Sequence, residues 1–206
     1  MFSGMFSRYV SPDTVLADLD KVVRGVSQAV ALARDDLAEY RRWRPDIVAD
    51  ATERGLANWI HDRLWVHLVA ELDGVPGVQI RDDEPHREIF VGLGYRLRVK
   101  RHHVDGNVST YPTEGALAFF VQEPTLDGLE EIRLAVGYEW DRDSRSIGDP
   151  LISLRDGLDN VVWVVPLPDA TAGSGQLHDL TPPALSGPAA PTVDLPSDNE
   201  QETESE

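Results

Sequence analysis

The sequence predicts an α+β fold: two N-terminal helices, an antiparallel or mixed sheet of about six strands with one inserted helix, and a disordered acidic C-terminal tail. Three observations lead there. Apolar residues recur every three or four positions up to about residue 73, the period changes to two between residues 77 and 167, and beyond Pro168 large apolar side chains become sparse. The expected layout is a flexible N-terminus over residues 1–11, a single α+β domain over 12–168 and a tail over 169–206.

The first helix is expected over residues 12–44. Leu16, Leu19, Val23, Val26, Val30, Ala33, Leu37 and Tyr40 form one stripe, and Ser11 or Asp13 is placed to cap its start. Val15, Val22 and Ala29 widen the stripe beyond a two-stranded coiled-coil seam. An antiparallel hairpin with the next helix is favoured over a dimerisation arm. Arg41, Arg42 and Arg44 before Pro45 have the character of a helix C-terminus. A core helix over residues 46–73 follows, irregular near Gly55, with Leu56, Ile60, Leu64, Leu68 and Leu72 in i, i+4 register and Trp59, Trp65, Val66 and Val69 broadening the apolar surface.

After the turn at Asp73-Gly74, Val78 and Ile80, then Ile89 and Val91, then Tyr95, Leu97 and Val99 mark three short strands. Pro112 and Thr113 open a helix that extends to about residue 122, where Pro124 bars continuation. Ile132, Leu134, Val136, Tyr138 and Trp140 alternate strictly and give the clearest half-buried strand. Leu151 to Leu154 is the fifth strand. Val161 to Val165, apolar on both faces, is expected to lie covered on both sides or centrally in the sheet. The last residues combine Pro, Ala, Ser, Thr and acids, with too little apolar area to offset the entropy of ordering.

Composition excludes several classes of chemistry. The chain has 206 residues, 41% of them apolar, enough for a sizeable core, and no cysteine, which removes disulfides, thiolate zinc sites and cysteine nucleophiles. No signal-like stretch or run of about 18 apolar residues is present, so a soluble protein of the bacterial cytoplasm, without membrane contact, is expected. The 17 arginines against two lysines match GC-rich coding and carry no functional message by themselves. A net charge of −17 disfavours sequence-independent binding of nucleic acid, although eight of the acids lie in residues 167–206, which hold no Lys or Arg.

The candidate site is a basic strand. Period two puts Tyr95, Leu97 and Val99 on one face and Arg96, Arg98 and Lys100 on the other, with Arg101, His102 and His103 just beyond and Thr113 at the start of the next helix. A line of cations running toward a helix start suits an anionic ligand or partner, with Arg96, Arg98, Lys100, Arg101, His102 and Thr113 as its contacts. The ordinary use for the same charge is pairing across the sheet with Glu88, Glu130 or Glu139.

The order helix, three strands, helix, strand over residues 46–140 resembles the core of the PD-(D/E)xK nucleases. In that family an acid on the second strand and an acid-x-Lys pair on the third hold a metal ion and activate water. Here the third strand reads Arg98-Val99-Lys100: the lysine is present, and Arg98 stands where the metal-binding acid is needed. Glu71 with Asp83 or Glu88 are the alternative acids. The six histidines show no zinc spacing, and GxSxG, P-loop and GxGxxG patterns are missing.

No catalytic residue, metal or cofactor is therefore expected. The sequence points to a non-enzymatic interaction or regulatory protein whose partner is another protein or a second copy. The alternative is a metal-dependent nuclease, or a degenerate nuclease-fold binder of nucleic acid. A further option is that the acidic tail mimics nucleic acid and occupies the basic strip.

Overall fold

In a computed structural model, residues 9–83, 86–122 and 131–170 are described. They form five helices, α1 (Pro12–Asp18), α2 (Asp20–Trp43), α3 (Pro45–Asp50), α4 (Glu53–Leu72) and α5 (Glu114–Phe120). The strands are β1 (Val78–Asp83), β2 (His86–Val91), β3 (Tyr95–His102), β4 (Ile132–Asp141), β5 (Ser146–Arg155) and β6 (Val161–Pro166). The α+β class, the inserted helix and the mixed sheet are all present. The expected tail over 169–206 lies almost entirely outside the described residues, as do residues 1–8 of the expected flexible N-terminus.

Both predicted long helices are divided. The first is interrupted at Leu19, whose backbone is no longer helical, although Leu19 N–H still donates to Val15 O and Val23 N–H to Leu19 O. The second is split at Ala51 and Thr52, both extended. Thr52 accepts from Gly55 N–H at 3.0 Å, so a threonine able to satisfy an orphan donor starts a new helix where the periodicity alone suggested a continuous one. Ser11 and Thr113 cap α1 and α5 in the same way, through Thr14 N–H and Ala116 N–H.

α2 and α4 run antiparallel, as a hairpin: Gly25 lies against Leu72, Asp36 against Arg63, and Tyr40 stacks on Trp59. Leu56, Ile60, Leu64, Leu68 and Leu72 are all buried with Val26, Val30 and Leu37 in the main core. Each such side chain contributes on the order of 1.5–3 kcal/mol when fully buried.

The sheet has the order β1-β2-β3-β4-β5-β6, antiparallel throughout except for the parallel pair β3 and β4, which α5 connects. Leu97, Val99, Leu134, Val136, Ile152 and Leu154 face the helical layer. On the opposite face Phe119 and Phe120 of α5 pack with Ala135 and Val108. Pro150 interrupts nothing in β5, because it sits opposite Tyr138 at a shift in the β4–β5 register.

One expectation is reversed. The apolar run Val161–Val165 is neither central nor covered on both sides: β6 is an edge strand, and its residues are half-buried. Part of its cover comes from the chain's own beginning, where Trp163 Nε1 donates to Val10 O at 3.1 Å. Tyr9 O–H donates to Asp156, fixing the same stretch.

Candidate functional site

β2 and β3 are paired only from Tyr95 to Leu97; beyond that point the two strands part. A pocket of about 270 Å³ occupies the gap, lined by His61 of α4, Arg87 of β2, Arg98, Val99 and Lys100 of β3, and Thr110, Tyr111, Thr113, Gly115 and Ala116 around the start of α5. Among the described residues no carboxylate lines it. α5 is held in place behind it by Arg133, which donates to Ala118 O and Val121 O, and by Gln122, whose amide bridges the main chains of Arg133 and Arg155.

The predicted basic strip divides three ways. Arg96 and Arg98 are internally paired. The Glu88 side chain, 0% exposed, accepts from Arg96 Nη2 at 2.6 Å and from Arg98 Nη2 at 2.5 Å. Arg98 also lies 4.3 Å over the Phe119 ring and donates to Gly115 O, while Arg96 approaches Glu131 as well. Burial opposes ionisation of Glu88, but the two guanidinium groups outweigh it and hold its carboxyl below the usual range.

Arg101 and His102 leave the pocket. Arg101 points to the helical side, against Glu53 and over Trp140. His102 is fully buried and shares a hydrogen bond with Ser153 at 2.9 Å. Thr113 does line the pocket, with its hydroxyl engaged as the α5 cap. That helix has only seven residues, and its first free donor is already satisfied by the threonine.

Lys100 remains. Its Nζ donates to Thr110 Oγ1 at 3.2 Å, and among the described residues it has no carboxylate partner. Burial, and secondarily the charge of Arg98, lowers its pKa to about 8. His61 is pushed below its ordinary value by burial and by Arg87, so the histidine adds little positive charge near neutrality. Arg87 itself is held by Asp62 and Asp82. The free positive charge of the pocket is thus concentrated on Lys100, beside the hydroxyl of Thr110 and the exposed ring of Tyr111.

No family model, curated protein or solved structure matches the chain.

Among the described residues no group of three or more His, Asp or Glu is placed to hold a metal ion, and Glu88 is closed off by its two arginines. No described helix is long and apolar enough to cross a membrane.

Sequence reasoning missed His61, Arg87, Thr110 and Tyr111. His61 and Arg87 reach the pocket from other elements, and nothing local marks them. Tyr111 carried a signal in principle, an aromatic residue between a basic strand and a helix cap.

Proposed function

We propose that the chain is a non-enzymatic interaction or regulatory protein of the cytoplasm that recognises an anionic group in the pocket between β2 and β3. The observation that carries this reading is the Lys100 ammonium, half-buried, in a pocket where no described residue pairs with it as a carboxylate and none of the described lining residues is an acid. A desolvated cation without a counter-charge is costly, and an incoming carboxylate or phosphate relieves that cost. Thr110 and Tyr111 supply hydroxyl groups at the same mouth. The anion is offered by an acidic protein partner or by a second copy of the chain, with its surplus of acids.

Titration of the full chain with inorganic phosphate, followed by amide NMR shifts, tests it. Saturable shifts centred on residues 98–100 and 110–116, abolished in Lys100→Met and kept in Lys100→Arg, are expected. Unperturbed spectra at high phosphate, or equal shifts in Lys100→Met, sink the reading.

A second reading is supported by the order α4, β1, β2, β3, α5, β4, in which Lys100 lies on the third strand, as the lysine does in the nuclease family that the sequence order resembles. In this version the pocket takes a phosphate of nucleic acid, without cleavage. Salt-sensitive binding of single-stranded DNA or RNA, weakened by Arg98→Ala and Lys100→Ala, supports it. Loss of binding in neither variant, or no binding at low salt, disposes of it.

A further inference from the structure

A second recognition feature lies on the helical layer, at the far end of the α2–α4 hairpin. The rings of Tyr40 and Trp59 stack across the two helices with centroids 4.9 Å apart and an interplanar angle of 24°. One turn beyond Tyr40, Trp43 is 74% exposed. These three rings, with Asp36, Glu39 and Arg63, line an open pocket of about 380 Å³.

The two acids are in different states. Asp36 is spent: its carboxylate accepts from Arg63 Nε and meets His67 Nε2, each at 2.7 Å, and these contacts hold its pKa low although burial works against them. Glu39 is exposed and makes no ion pair among the described residues. Arg63 is therefore neutralised locally, as is Arg44, which pairs with Asp46 while its guanidinium lies 6.0 Å from the Trp43 ring centroid, and the pocket presents aromatic rings beside one carboxylate without an ion pair among the described residues.

Aromatic faces attract cations through the ring quadrupole, and a planar guanidinium satisfies both features at once, stacking on a ring and donating to a carboxylate. A quaternary ammonium would leave Glu39 without a hydrogen bond. We infer that this pocket binds the guanidinium of an arginine presented by a basic segment of a protein partner, Trp43 stacking on it and Glu39 accepting its N–H groups. The net charge of −17 attracts a partner of opposite, positive sign. The inference is independent of the Lys100 pocket, which takes the opposite charge.

The test is titration of the full chain with a hexa-arginine peptide at physiological salt, with hexa-lysine and tetramethylammonium as parallel probes. Tighter binding of hexa-arginine than hexa-lysine is expected, with Trp43→Ala or Glu39→Gln each weakening it about three- to fivefold. Trp43→Phe should keep part of the affinity. Trp43 is exposed, so its replacement leaves the core intact, which an unchanged melting temperature verifies. Equal binding of the two peptides, or full affinity in Trp43→Ala, assigns the attraction to acidic surface at large and overturns the proposal. Competition by tetramethylammonium at equal strength overturns it in favour of a small-cation site.

Discussion

Gly137 on β4 faces the main chain of Lys100 on β3 so closely that a Cβ at Gly137 would stand 2.0 Å from the Lys100 carbonyl oxygen. The glycine has φ +154° and lies at the parallel pairing that carries the candidate pocket. The position therefore excludes every side chain, and the backbone of Lys100 is held where its Nζ reaches Thr110.

Gly137→Ala is accordingly expected to destabilise the protein by about 3 kcal/mol or more, because the obstructing atom is backbone and cannot rotate away. Gly25→Ala provides the comparison. There the nearest atom is Leu72 Cδ2 at 2.9 Å, the end of a side chain that can turn, so a smaller loss is expected. Chemical denaturation of both variants measures the two effects; equal losses would show that the β3–β4 contact is not the constraint.

The sequence conveyed the fold through periodicity and little of the pocket. Five leucine-type positions of α4 and the alternation of β4 could be read because burial repeats at 3.6 or 2 residues. Breaks at Leu19 and Thr52 were not legible, since local capping competes with a periodicity that runs through both. β6 was misplaced for a related reason: an all-apolar run specifies burial but does not distinguish a central strand from an edge covered by Val10 and its neighbours. At the basic strip, alternation separated Arg96, Arg98 and Lys100 from the core face. Which of the three stays unpaired depends on the reach of one buried acid, Glu88, from the neighbouring strand.

Removing that acid should be costly. Glu88→Gln leaves Arg96 and Arg98 partly buried without their shared counter-charge, and a loss on the order of 3–5 kcal/mol is expected. The pH dependence follows from its lowered pKa. Stability from Glu88 is present above the ordinary carboxylate range and is lost as pH falls through its depressed folded value. Acid unfolding of wild type and Glu88→Gln should differ in slope below pH about 4.5. Coincident acid limbs would remove Glu88 from the account.

Anion binding should follow the charge of Lys100. Its ammonium faces Arg98 on its own strand, His61 from α4, Arg87 from β2, and Thr110 and Tyr111 from the loop before α5. With a pKa of about 8 it is charged below that pH and neutral above it. Affinity for sulfate, whose charge is constant across this range, is expected to be steady up to about pH 7 and to decline as pH rises through 8, with Lys100→Arg staying flat over the same range. A wild-type profile as flat as that of Lys100→Arg would mean that another cation carries the site.

His102 is fully buried on the α5 side of the sheet, where its Nε2 meets Ser153 and its Nδ1 lacks a side-chain partner among the described residues. Arg155, also buried, spans the neighbouring loops by donating to Gly106 O and Leu158 O. Burial first, and the Arg155 charge second, lower the His102 pKa to about 4. The unfolded chain takes up its proton at the ordinary value near 6.5, so between those two values the unfolded state binds more protons than the folded one. Stability then rises with pH across this window and falls on acidification, by on the order of 3 kcal/mol in total. His102→Gln, which retains an amide able to bond Ser153, should remove that slope between pH 6.5 and about 4.5 while leaving stability at pH 8 less affected. Urea denaturation at several pH values measures both slopes, and a variant as acid-sensitive as wild type in that window would show that His102 protonation does not limit stability.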